Sequence, residues 1–241
     1  MKYYITGATG FIGTAICKYL EGEQIFKAGK EINPFELRHA DIIIHLGAYG
    51  NHADQTNIFE ILQANITRLQ DLLQFTRNCD FKKFYNISTS SVTLPVQTAY
   101  SASKLIGEQL VTNYGDKRIV NIRPYSVYGP GEAAHRFIPT VIRCLNSGEQ
   151  MQLDLNSVHD WIFVDDFVRC MFEGYTEIGS GTQATNMDIV TALELISGKT
   201  LNYTPVTGLR NYDTSRWVCT DRVPCRPLFE GLKQTYESFT Q

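Results

Sequence analysis

The chain has 241 residues, of which 43% are hydrophobic, 12% aromatic and 20% charged, enough apolar material for one globular domain with a small annex. Twenty-two Lys and Arg against 25 Asp and Glu leave a formal charge of -3, so no cationic excess draws the chain to nucleic acid or to an anionic membrane, and neither partner is expected. No window approaches the roughly 18 consecutive apolar residues of a membrane span, and MKYYITGATG lacks an apolar run with a cleavage site, so a cytoplasmic location is expected. The six cysteines form no CxxC pair and the five histidines no HxxxH or HxH pair, so reduced thiols and no metal site are expected.

Along the chain, short apolar runs alternate with helical periodicity. Residues 2–6 read as a strand, 11–20 as a helix, 24–28 and 42–46 as strands, 57–77 as a long helix and 84–88 as a strand. A helix after Tyr100 carries Leu105, Ile106, Leu110 and Val111, and residues 118–123 read as the next strand. This alternation predicts a doubly wound α/β fold, a parallel sheet with helices on both faces. The longest helix places Ile58, Ile61, Leu62, Ile66, Leu69, Leu72 and Leu73 at steps of three and four, a stripe expected to pack on the sheet. Past Gly129 the composition turns to Gly, Pro, Asn and Thr. A boundary near 130 is expected, with 131–241 a smaller and less regular substrate-binding region whose strands can join the sheet.

The first strand runs into Thr6-Gly7-Ala8-Thr9-Gly10-Phe11-Ile12-Gly13 and then directly into a helix. Gly7 permits the tight turn, Gly10 lets the backbone approach a pyrophosphate, and Gly13 lets the helix lie close to the strand. Placed between strand and helix, the pattern predicts a Rossmann-type dinucleotide-binding domain over residues 1–130. Tyr100-Ser-Ala-Ser-Lys104 sets a phenol and an ammonium one helical turn apart. Free tyrosine, with a pKa near 10, is a poor base at neutral pH, and a nearby cation stabilises its phenolate.

The spacing in TGATGFIG resembles the extended short-chain dehydrogenase/reductase superfamily. Further motifs follow in the family's order: Asp41-Ile-Ile-Ile-His45-Leu-Gly-Ala48, Asn65 within a helix, Arg123-Pro-Tyr-Ser-Val-Tyr-Gly-Pro-Gly131, and His159-Asp-Trp-Ile-Phe-Val-Asp-Asp166. Together they are similar to the NAD(P)-dependent epimerase/dehydratase group over nearly the whole chain. The resemblance implies Thr89, Tyr100 and Lys104 as catalytic residues, with Lys104 also holding the nicotinamide ribose. It implies a cofactor site made from Gly7, Thr9, Gly10, Phe11, Ile12, Gly13, Leu46, Gly47, Ala48 and Pro124 beside the Tyr-Lys pair. It further implies that Thr89, Ser90, Ser126, His159 and Arg216 meet the substrate, with Ser90 and Ser91 rivals to Thr89.

The chain departs from this pattern in several places. Only 11 positions separate Thr89 from Tyr100, so the loop over the substrate is trimmed, and residues 22–40 are too few for a full strand, helix and further strand, leaving the adenine end open. Lys27 and Lys30 at the end of the second strand favour NADP, whereas Glu31 keeps NAD in view. The family's dehydratases carry Asp-Glu directly after the catalytic Thr, where this chain has Ser90 and Ser91. His159 stands in place of a phosphate-contacting Arg, and Ser126 in place of an Asn. The expected function is an NAD(P)-dependent epimerase or ketoreductase acting on a nucleotide-activated sugar. The alternatives are a reductase of a small carbonyl compound without a nucleotide and a non-catalytic dinucleotide-binding regulator. The exposed helices of this fold also admit a homodimer.

Overall fold

Strand formers dominate the segments KYYIT, QIFKA, IIIH, KFYNI and IVNIRP. A computed structural model, describing residues 1–52, 54–207 and 218–240, folds them as β1 (Lys2–Thr6), β2 (Gln24–Ala28), β3 (Ile42–His45), β4 (Lys83–Ile87) and β5 (Ile119–Pro124). The chain divides into two compact units, Met1–Pro124 and Tyr125–Gln241. In the first unit the strands are all parallel, in the order β2-β1-β3-β4-β5. Thr6 is in register with Ala28 on one side and His45 on the other, so three strands end level at the carboxyl edge, where doubly wound sheets bind their ligands. The helices are α1 (Phe11–Tyr19), α2 (Pro34–Arg38), α3 (Ile58–Leu62), α4 (Arg68–Thr76) and α5 (Ala99–Tyr114). Tyr4, Leu37, Ile43, Leu69, Leu72, Phe84 and Val111 share one buried cluster, each large apolar side chain contributing roughly 1.5–3 kcal/mol. This is the expected Rossmann-type architecture.

One region differs from the sequence expectation. The long helix is interrupted by a π turn, Gln63–Thr67, between α3 and α4. The extra residue in that turn changes the phase of the apolar stripe. Ile61, Leu69, Leu72 and Leu73 are buried, whereas Ile58 and Leu62 are 61% and 43% exposed. Between α1 and β3 the abbreviated segment holds one strand and one five-residue helix. Asn33 caps that helix by accepting from the amides of Phe35 and Glu36, with Pro34 pre-set at its first turn. The Asn33 amide donates to Tyr4 Oη at 3.2 Å, tying the loop after β2 to β1.

The second unit contains β6 (Ser126–Tyr128), α6 (Phe137–Ser147), β7 (Met151–Asp154), β8 (Val158–Phe163), α7 (Val164–Glu173), β9 (Glu177–Ile178), β10 (Gln183–Thr185), α8 (Asn186–Ser197), β11 (Tyr203–Val206) and α9 (Leu228–Thr240). β8 pairs parallel with β6 and antiparallel with β10, while β7 pairs parallel with β11. This region is more regular than its composition suggested, with four helices of 10 to 13 residues. Its glycines are largely helix stops: Gly148, Gly174 and Gly198 take φ of 74°, 100° and 66° directly after α6, α7 and α8. Asp160 is fully buried and accepts from the amides of Ser180, Gly181 and Cys219 and from the Ser180 hydroxyl, all at 2.6–3.0 Å. Among the described residues no helix is long and apolar enough to cross a membrane.

Candidate active site

The glycine turn is built by close approach. Gly7 has φ 70°, and a Cβ there would lie 2.9 Å from the Gly47 nitrogen, so only glycine lets the β1 turn lie against the loop after β3. A Cβ on Gly13 would come within 2.2 Å of the Gly7 carbonyl oxygen, so α1 packs directly on the turn. Gly10 is different: a Cβ there meets only the Gly7 carbonyl, at 3.4 Å. Gly10 is the N-cap of α1, and the first turn of that helix carries no acidic residue. The amides of Phe11 and Ile12 therefore stand at a helix N-terminus whose partial positive charge has no local counterion.

A cavity of about 270 Å³ adjoins this turn, lined among others by Thr9, Lys30, His45, Gly47, Ala48 and Arg68. Thr6 Oγ1 accepts from the Gly47 amide at 3.1 Å and bonds His45 Nδ1 at 2.8 Å. With the Thr6 hydroxyl donating to Nδ1, the neutral ring carries its proton on Nε2. That atom is buried without a partner. Burial, then the charges of Lys104 and Arg68, push the His45 pKa down to about 3. The unfolded chain takes up a proton at this residue near pH 6.5 and the folded chain does not, so stability is full above that value and falls as pH drops toward 3. Between pH 7 and pH 5 the expected loss from His45 is about 2 kcal/mol. Thermal melting of the parent and of His45→Gln at both pH values checks this: the variant is expected to lose less stability, and parallel losses would rule His45 out as the source.

Tyr100 and Lys104 lie one turn apart in the first half of α5, whose N-terminus is held by a reciprocal cap between Thr98 and Ser101. Gly50, with φ 102°, brings the loop after β3 onto this helix, its Cβ position lying 3.4 Å from Tyr100 Cβ and 2.9 Å from Ile61. Asn65, in the π turn, exchanges two hydrogen bonds with the Tyr49 backbone and donates to Ser103 Oγ. It thereby ties the same loop to the residue before Lys104. Lys104 is buried, and burial pulls its ammonium down to about 8 while the Glu108 carboxylate one turn further on acts the other way. Glu108 is itself buried and held by Arg123 Nε and Nη2 at 2.8 and 2.5 Å.

The strand β4 ends in the hydroxyl cluster. Thr89 caps the short 3-10 turn Ser90–Thr93 by accepting from the Ser91 amide, and its hydroxyl lies 2.8 Å from Ser91 Oγ. Both residues are half-buried. Ser90, expected to meet the substrate, is fully buried, with its hydroxyl donating to the Pro124 carbonyl at 2.7 Å. The 3-10 turn packs against α5. The Gln97 amide, which no motif marks, donates to the carbonyls of Ser91, Val92 and Leu94 and closes the trimmed loop.

In the second unit the structure brings two of the expected substrate residues together: Ser126 Oγ lies 3.4 Å from His159 Nδ1. The His159 ring meets Trp161 edge-on at 5.3 Å, and Phe137 stacks on Trp161 at 6.1 Å. Two buried polar atoms here have no partner, Trp161 Nε1 and Glu132 Oε2, and burial pushes the Glu132 carboxyl up to about 7. Arg216 lies outside the described residues.

A model of the NAD dependent epimerase/dehydratase family matches residues 27–189, about two thirds of the chain. The chain belongs to that family. The match begins past the glycine turn, whose reading rests on its own geometry. Among curated relatives of this family member, the dTDP-glucose 4,6-dehydratase of Haemophilus influenzae is 25% identical across 79% of this chain and 78% of that protein. The dTDP-D-glucose 4,6-dehydratase of Dictyostelium discoideum is 24% identical across 81% of this chain, which spans only 62% of its length. The crystal structure of UDP-glucuronic acid 4-epimerase from Bacillus cereus, in complex with UDP-glucuronic acid and NAD, is 23% identical, covers 99% of both chains and superposes with a TM-score of 0.86. That similarity shows the shared fold.

Proposed function

We propose that this family member is an NAD(P)-dependent epimerase or ketoreductase acting on a nucleotide-activated sugar, its first unit holding the cofactor and its second the substrate. The observation that carries the reading is the pairing of Tyr100 and buried Lys104 on one helix, within a unit whose glycine turn leaves room for a phosphate. The residues present fit a dinucleotide. A Cβ on Gly10 would meet only the Gly7 carbonyl, at 3.4 Å, the first turn of α1 carries no acidic residue, and His45 Nε2, beside the cavity that Gly7 and Thr9 line, is a buried polar atom without a partner. We assign the cofactor to Gly7, Thr9, Gly10, Phe11, Ile12, Gly13, Leu46, Gly47 and Ala48, with Pro124, Tyr100 and Lys104 at its nicotinamide end. A bound nicotinamide dinucleotide supplies hydride acceptance and return. NADP is favoured because Lys30 lines the cavity and β2 ends at Ala28 and is followed by Gly29, neither of them acidic; Glu31, also lining it, is the residue that would serve NAD.

The protein's own residues then manage a proton and an oxygen. Tyr100 takes the proton from the substrate hydroxyl, or returns it, while Thr89, with Ser91 behind it, fixes the oxygen. Lys104, its ammonium pulled down to about 8 by burial, remains mostly protonated at neutral pH and favours the phenolate. Ser126 and His159 are assigned to the nucleotide sugar, and Arg216 with them. Ser90 is left out of the substrate set because its hydroxyl is committed to Pro124. The sugar nucleotides named for the relatives and for the epimerase complex support this substrate class. Incubation with nucleotide hexoses and cofactor, followed by mass spectrometry, tests the proposal. Turnover of simple carbonyl compounds alone, with no nucleotide sugar changed, would favour the small-carbonyl reductase instead.

A further inference from the structure

We infer that Arg68, together with Lys30, recognises the adenosine 2′-phosphate of an NADP-type cofactor. The inference rests on the dinucleotide reading above and adds a residue that no motif identified. Arg68 is the first residue of α4, directly after the π turn, and lines the cavity together with Leu72 one turn further on. It is half-buried, and among the described residues it has no ion-pair partner. A half-buried guanidinium beside a cavity is a fork of donors suited to a phosphate. The cavity also reaches Ala28 and Gly29 at the tip of β2, the strand end from which this fold holds the adenosine ribose. Neither residue offers a carboxylate for a free 2′-hydroxyl. Glu31, the one carboxylate among the described lining residues, forms no ion pair with Lys30 or Arg68, so both cations stay available to an anion. The short segment before β3 leaves β2 at the end of the strand order, which keeps this side of the cavity open to a bulky phosphate.

Isothermal calorimetry with adenosine 2′,5′-bisphosphate, 5′-AMP, NADP+ and NAD+ tests the inference without any turnover. The parent is expected to bind the bisphosphate at least about tenfold more tightly than 5′-AMP. Arg68→Ala and Arg68→Gln are expected to lose most of that ratio while holding 5′-AMP within about twofold, with thermal melting confirming that both remain folded. A parent ratio near one, or an equal loss on both nucleotides, would overturn it. If the parent binds NAD+ as well as NADP+, the inference alone fails. If it binds neither dinucleotide, the cofactor reading fails with it.

Discussion

Tyr100→Phe is expected to bind cofactor like the parent and to lose turnover by about 10²–10⁴-fold, the range over which a positioned acid-base group acts. The substitution removes one oxygen. The ring, the helix cap at Thr98 and the approach of Gly50 to the residue's Cβ all stay, so a loss reports the transferable proton and not the packing. Lys104→Ala is the companion variant. It deletes a buried cation that, by its assigned role, acts on the phenol and on the ribose, so turnover and cofactor affinity are expected to fall together. Steady-state rates and calorimetry on the same preparations separate the two patterns. Rates for Tyr100→Phe comparable with the parent would remove Tyr100 from its role.

The glycine turn supplies the second large effect, as a contrast between two positions three residues apart. At Gly10 a side chain would meet only one carbonyl oxygen, at 3.4 Å, so Gly10→Val is expected to fold normally. Its branched side chain would fill the space in front of the α1 amides and abolish dinucleotide binding. At Gly13 the same kind of change drives a Cβ into the backbone of the turn, 2.2 Å from the Gly7 oxygen and 2.8 Å from Ala8. Gly13→Ala is therefore expected to cost roughly 3 kcal/mol of stability, whatever it does to the ligand. Melting temperature and calorimetric titration with NADPH and NADH distinguish the two. A Gly10→Val protein that titrates like the parent would make the turn a purely structural feature.

Much of this site was legible in the chain because its chemistry is local. A glycine turn between strand and helix, and a phenol four residues from an ammonium, are set by spacing alone. What was not legible depends on phase or on distant contacts. The π turn at Gln63–Thr67 has no marker in the residues themselves, so Ile58 and Leu62 read as core and emerged exposed. Ser90 and Ser91 are the same residue type side by side; only the position of the Pro124 carbonyl, 34 residues away, turns one inward. Arg68 was invisible for the same reason, since its cavity is assembled from four separate segments. The helices of the second unit are masked differently: Gly148, Gly174 and Gly198 are helix stop signals, but in a segment rich in Gly, Pro, Asn and Thr they look like loop composition.

The proposed chemistry is reversible oxidation at one carbon, in a family whose named relatives include dehydratases. Dehydration of a sugar ring requires a group that donates a proton and a group that accepts one. Here the two positions after Thr89 are a serine buried on Pro124 and a serine hydrogen-bonded to Thr89 itself. Neither hydroxyl has a carboxyl proton to give near neutral pH or a carboxylate to receive one. The most direct measurement is mass spectrometry of UDP-, GDP-, CDP- and dTDP-hexoses incubated with the protein and NADP+ or NAD+, with cofactor absorbance followed in parallel. Reversible oxidation at one carbon gives either an epimer of unchanged mass with no net cofactor change, or a keto-sugar two hydrogens lighter with one cofactor reduced per turnover. A product lighter by one water, formed with no net change in the cofactor, would contradict it.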